Sequence, residues 1–274
     1  MLKQRVITAL LLVLALLAAI VWLPASGFAA LVFVVFAIGA WEWTALSGVA
    51  NRYARAAYVA FIVGMGLLLS MLGQQLIKVV LFSTVIWWLE ALMLICQYPR
   101  PNPLMNKPVS VLLVGLPALV PCLLAITSLG HLPGDRRFYV LWFIALVASA
   151  DIGAYFAGKA FGHTRLAPEV SPNKTWEGFG GGLLATCVVA VVGIYMEPAS
   201  ALAKVNIVVV VVAAALLAAL SVVGDLFESL LKRQRNLKDS GSLLPGHGGV
   251  MDRLDSITAA LPFYVLLLNY AVLP

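Results

Sequence analysis

The chain has 274 residues, 62% of them hydrophobic and only 11% charged, with a mean hydropathy of +1.01. A soluble domain carries about 25% charged residues, so polar groups are too few to cover a water-facing surface, and a soluble globular protein is excluded. The formal net charge of +6 reads as the positive-inside bias of a membrane protein and gives no case for nucleic acid.

Nine apolar runs approach the ~20 residues that span a bilayer as a helix: 6–24, 27–46, 56–73, 76–96, 109–129, 138–157, 176–196, 204–224 and 254–273. Leu, Ala and Val dominate them, without the alternation of a barrel strand. Helices satisfy their own backbone groups in lipid. The expected fold is therefore all-α, a polytopic integral membrane protein with about nine transmembrane helices.

Lys3 and Arg5 precede the first run, which ends in Pro24, Ala25, Ser26 and Gly27. That pattern fits a cleaved signal peptide or a retained first helix turned into the second; retention is the reading carried forward. Glu42, between Trp41 and Trp43 near a helix end, reads as part of an interfacial anchor. Glu90 lies deeper in its run, as a functional carboxylate or a buried, hydrogen-bonded structural one. Cys96, Cys122 and Cys187 have no metal-ligand spacing and read as packing residues.

With the N-terminus in the cytoplasm, 14 of the 18 Lys and Arg residues fall on the cytoplasmic side, and Lys78, Arg136, Arg137 and Lys204 on the other. Only Glu42 and Glu90 are acidic before position 135, whereas eight of the twelve acids lie in 151–177 and 225–255, both cytoplasmic in this topology. The chain thus divides into residues 1–134, scaffold and lipid contact, and 135–274, a catalytic region with its site on the cytoplasmic face.

The stretch from Gly224 reads GDLFESLLKRQRNLKDSGSLLPGHGGVMDRLD. A helix there places Asp225, Ser229 and Lys232 along one face. Lys232, Arg233, Arg235 and Lys238 add positive charge, and Gly241, Pro245, Gly246, Gly248 and Gly249 let backbone N–H groups approach a ligand. A new helix near Val250 puts Asp252 and Asp255 on one face. Carboxylates beside a basic glycine-rich turn suit phosphates and Mg²⁺, which shares its oxygen ligands with substrate phosphates. His247 could bond a phosphate or support the turn. An ordinary positive-inside loop needs none of these acids.

A second stretch begins at Asp151, which shares a helix face with Tyr155 and Gly158. SPNKTWEG, 171–178, reads as a turn feeding a helix, with Ser171 in the N-cap region and Lys174 pairing with Glu177 across one turn. Gly153, Gly158 and Lys159 imitate a P-loop, but position 160 is Ala and no strand precedes it, so that reading fails.

Residues 229–255 resemble the signature of the phosphatidate cytidylyltransferases, and DIGAYFAGKAFG at 151–162 and SPNKTWEG at 171–178 resemble two further patterns of that family. The resemblance implies that the phosphate of phosphatidic acid attacks the α-phosphate of CTP, giving CDP-diacylglycerol and pyrophosphate. It implies Mg²⁺, with a second cation as an option, held by acids among Asp225, Asp239, Asp252 and Asp255. Lys232, Arg233, Lys238 and Arg253 would bind phosphates. Asp225, Asp252, Asp255 and Lys232 are the catalytic candidates. Ser229, Arg233, Lys238, His247, Gly248, Gly249, Arg253, Lys174, Ser171, Asp151 and Tyr155 are the substrate-binding candidates. Expected partners are CTP, phosphatidic acid, membrane lipids and, as an option, a second copy of the chain. The expected location is the cytoplasmic (inner) membrane. A cytidylyltransferase for another lipid phosphate and an ion-coupled transporter are the rival readings.

Overall fold

Lipid offers no partner to a free N–H or C=O, so each apolar run closes its backbone bonds within itself. In the computed structural model, residues 2–100, 105–132, 134–196 and 205–272 are described, without the side chains of residues 2–5, 271 and 272. Lys3, Arg5 and Lys204, which entered the charge count, fall outside what is described for side chains. The helices among the described residues are α1 (Leu2–Trp22), α2 (Ala25–Ser47), α3 (Arg52–Ser70), α4 (Gln74–Gln97), α5 (Pro108–Leu129), α6 (Arg136–Phe161), α7 (Trp176–Met196), α8 (Ile207–Gln234) and α9 (Met251–Val272). Each overlaps one predicted run. Seven of them, α2 to α8, are long and apolar enough to cross a membrane, and α1 has a shorter apolar stretch, Val6–Trp22.

Local chemistry sets several boundaries. Asn51, Asp135 and Asn206 cap α3, α6 and α8 by accepting backbone N–H groups of their first turns. Gly48, at φ 83°, ends α2 in the left-handed conformation. α8 runs ten residues past the predicted membrane boundary at 224, because its polar segment is still made of helix-forming residues.

α9 is the central helix. Ala259, Ala260, Leu261, Tyr264, Val265 and Leu266 are all buried, and α2, α4, α5, α6 and α8 pack around them. A helix enclosed by protein on all sides needs no lipid-facing stripe. α6 and α7 form a close pair through small residues: a Cβ on Gly153 would lie 2.6 Å from the Gly181 carbonyl oxygen. Large apolar side chains such as Leu68, Leu184 and Val208 point outward, as a lipid-facing surface requires.

One element departs from the all-α expectation. Residues 165–175 form an antiparallel hairpin, β1 (Arg165–Ala167) and β2 (Ser171–Thr175), with Arg165 opposite Thr175 and Ala167 opposite Ser171. Ser171 therefore lies in a strand, and Thr175 caps α7 in its place by accepting the Gly178 N–H at 3.1 Å. Lys174 and Glu177 do not pair, since β2 does not carry helical spacing into α7. Glu177 accepts the Thr164 N–H at 3.1 Å, and Lys174 reaches α8.

Long-range hydrogen bonds gather several ends of the bundle on one side. Thr8 of α1 donates to the Pro245 carbonyl at 3.3 Å. Arg55 at the start of α3 donates to Thr44 at 2.7 Å. Arg235, just past α8, donates to the Leu46 carbonyl at 3.1 Å, and Arg233 donates to Val170 of the hairpin turn at 3.2 Å. The loop 235–250 and the start of α9 lie at this same end.

Candidate active site

The two helices bearing most of the acids are held together by a missing side chain. A Cβ on Gly224 would sit 2.4 Å from the Asp255 carbonyl oxygen, so only glycine lets α8 lie this close to α9. That approach sets Asp225 of α8 near Asp255 of α9, where the charges of Asp225, Lys232 and Lys174 all act on the Asp255 carboxyl. Asp225 Oδ2 meets Lys174 Nζ of β2 at 2.6 Å, and Asp225 Oδ1 accepts Ser229 Oγ at 3.3 Å. Asp151 of α6 stands where the charges of Asp225, Lys174 and Arg253 act on it.

Lys232 is 8% exposed and lies between two carboxylates, 2.7 Å from Asp252 Oδ1 and 3.3 Å from Glu228 Oε1. A buried ammonium is tolerated when its charge is matched this closely. The other Asp252 oxygen, Oδ2, accepts Ser240 N at 3.0 Å, Ser240 Oγ at 3.0 Å and Gly249 N at 2.7 Å. Asp252 is thus the point where the glycine loop, α8 and α9 meet.

The loop itself turns tightly. Leu244 and Gly248 form a short bridge, and Gly246 and Gly248 take φ of 77° and 81°, which favours glycine. A Cβ on Gly248 would also lie 2.6 Å from Asp252 Oδ2. Arg253 donates to the His247 carbonyl at 3.1 Å. Among the described residues, His247 Nδ1 is buried without a hydrogen-bond partner. Beside this turn opens a cavity of about 550 Å³, lined among others by Lys238, Asp239, His247, Gly248 and Arg253. Glycine backbone and two cations make it a place for an anionic ligand.

Asp225, Asp252, Asp255, Lys232, Ser229, Lys174 and Asp151 are drawn into one charged cluster. Lys238, Asp239, His247, Gly248 and Arg253 line the adjoining cavity, and Gly249 joins the two. Arg233 is tied to the hairpin, and Ser171 lies within it. Tyr155 stands on the outer face of α6, where its ring partners are Phe156 and Lys159, neither a member of the cluster.

Two acids belong here that the sequence reading did not assign to the site. Glu228 is 1% exposed and shares Lys232 with Asp252; its spacing of three from Asp225 and four from Lys232 was the available signal. Glu42 was read as an interfacial anchor. It is instead buried, accepting Ser240 Oγ at 3.1 Å and Met251 N at 2.7 Å. The periodicity of α2 turns Glu42 inward with Trp43, while Trp41 stays at the surface. Glu90 is exposed on the outward side of α4, not buried and hydrogen-bonded.

Among the described residues no three His, Cys, Asp or Glu side chains converge as a ready-made metal site. The donor chemistry fits Mg²⁺ in its usual manner, through one or two carboxylates completed by substrate phosphates. Asp225 and Asp255 offer that pair.

Comparison with known proteins identifies the family. The family model described as "Cytidylyltransferase family" matches residues 3–271. A Haemophilus influenzae protein named phosphatidate cytidylyltransferase is 37% identical over 281 residues, covering 96% of this chain and 97% of its own. A Pseudomonas aeruginosa protein of the same name is 41% identical over 268 residues, covering 98% and 97%. A Bacillus subtilis protein, also so named, is 41% identical over 130 residues, 47% of each chain. Matched from its first helix to its last, this membrane protein belongs to the cytidylyltransferase family.

Proposed function

We propose that the chain transfers CMP from CTP to phosphatidic acid, giving CDP-diacylglycerol and pyrophosphate. The observation that carries this reading is the charged cluster at the α8–α9 crossing, opening beside a glycine-rich cavity at one end of a lipid-facing bundle. A phosphatidate headgroup can reach that end while its acyl chains stay in lipid, and a nucleotide arrives from water. Acids scattered along a crossing path would suit a transporter; these sit together at one end.

The chemistry asks little of a nucleophile. An oxygen of the phosphatidate phosphate is already anionic. It forms a new bond to the α-phosphorus of CTP while the bond from that phosphorus to the bridging oxygen of the β-phosphate breaks, and pyrophosphate carries the electron pair away. No Ser or Cys intermediate is required. The obstacle is repulsion between anions, so catalysis is mainly charge neutralisation and alignment. Lys238 and Arg253 bind nucleotide phosphates at the cavity. Lys174 and Lys232, each held on a carboxylate, present ammonium groups in fixed places. Asp225 and Asp255 would hold Mg²⁺, with Asp239 and Asp252 as further candidates, and the ion would neutralise phosphate charge. We place residues 135–274 as the catalytic region, the N-terminus in the cytoplasm, and the site on the cytoplasmic face of the inner membrane, as the lysine and arginine bias supports.

The direct test is purified protein in detergent micelles with CTP labelled at the α-phosphate and phosphatidic acid. Label should move to lipid with one pyrophosphate per transfer. EDTA should abolish the transfer and Mg²⁺ should restore it. Folded protein that transfers no label would refute the reaction, and full activity in chelator, with metal excluded by elemental analysis, would refute the metal.

A further inference from the structure

We infer that Glu42, far from the acid-rich half of the chain, is a positioning residue that holds the glycine loop and the first turn of α9 in working geometry. The inference rests on the active-site reading above and names a residue to which that reading gives no role. Glu42 comes from α2, is 6% exposed, and sits under the loop. Its Oε2 accepts Met251 N at 2.7 Å and Ser240 Oγ at 3.1 Å. Met251 N is one of the N–H groups at a helix start that have no partner inside the helix, and the positive end of α9 favours a carboxylate there. Among the described residues no cation lies within ion-pair distance of Glu42. Its charge is met by loop and helix donors alone.

Glu42 and Asp252 grip the same loop from two sides. Ser240 Oγ lies 3.1 Å from Glu42 and 3.0 Å from Asp252, and its single proton can serve only one of them at a time. The backbone divides likewise: Met251 N goes to Glu42, while Ser240 N and Gly249 N go to Asp252. Two loop glycines are shaped around Glu42. A Cβ on Gly241 would lie 2.3 Å from its Oε1, and a Cβ on Gly249 would lie 2.4 Å from its Oε2. These glycines therefore admit a buried carboxylate, whatever else they admit. Asp252 in turn fixes Lys232 at 2.7 Å, so a loop released from Glu42 loosens the placement of Lys232 and of Asp255 one turn on. A buried carboxylate without a counter-ion is costly. An apolar side chain would fill the space more cheaply if packing were all it did.

The test uses the full chain in detergent with Glu42→Ala, Glu42→Gln and Ser240→Ala. Hydrogen–deuterium exchange over residues 236–251 is read beside kcat, KM for CTP and the thermal midpoint. Glu42→Ala should speed exchange in that loop while leaving the α5 core protected. It should lower kcat by up to roughly 10²-fold, the cost of misplacing groups by about 1 Å, at a near-normal midpoint. Glu42→Gln keeps an acceptor oxygen and should fall between wild type and Glu42→Ala in both readouts. Unchanged loop exchange in Glu42→Ala overturns the inference, as does activity lost only in step with folded protein. Failure of the site reading shows separately: near-normal turnover in both Asp252→Asn and Asp255→Asn would sink that reading, whatever the loop does in Glu42→Ala.

Discussion

Asp252 and Asp255 stand three residues apart yet are held very differently, and their variants should part accordingly. Asp252 has one oxygen on Lys232 and the other on three loop donors. The Asp255 carboxylate accepts Ser256 N at 2.7 Å and otherwise faces the charges of Asp225, Lys232 and Lys174. Asp255→Asn should lower turnover by roughly 10²–10³-fold, as removal of one strong electrostatic contact does, at an unchanged thermal midpoint. Asp252→Asn should lose as much turnover and, by leaving Lys232 short of a partner, about 1–3 kcal/mol of stability as well. Turnover in detergent with the midpoint recorded alongside separates the two, and near-normal turnover in both variants rejects the assignment. At this scale the second-half acids were legible because charge is conspicuous beside apolar runs. Glu42 was not, because its partners lie 198 and 209 residues away, and a Trp-flanked acid looks the same inward or outward.

The crossing of α8 and α9 turns on one hydrogen atom. Gly224→Ala would push a methyl to 2.4 Å from the Asp255 carbonyl oxygen, and backbone cannot step aside as a side chain can. The helices must separate, at a cost of about 1–3 kcal/mol, and Asp225 moves away from Asp255. A lower thermal midpoint and lower turnover are expected together. Gly64→Ala on α3, where nothing lies within 4 Å of the added Cβ, is the control, with a midpoint equal to or above wild type because alanine suits a helix better. Midpoints in the opposite order would show that the crossing is not set by this glycine. Hydropathy located every described helix because lipid demands long apolar runs. It misplaced the end of α8 because it reads where lipid stops and not where the helix stops. It could not show the hairpin, whose strands of 3 and 5 residues are too short to display a period.

For the molecule as a whole, the one-ended gathering of loops makes orientation testable. Single cysteines within 160–174 or 236–250 should resist an impermeant maleimide in intact cells and react after the membrane is opened; labelling of either loop from outside would reverse the orientation. Arg233, at the end of α8 and just before the second loop, is bonded to Val170 in the first, so the two loops should report the same side. The central place of α9 bears on how such a protein is born. The five helices that wrap it all precede it in the chain, and helices enter a bilayer before they assemble there. A growing chain therefore builds a slot for a helix still on the ribosome. Asp225 and Lys232 wait there without Asp252 or Asp255, so the charged cluster is completed only when α9 joins the helices made before it.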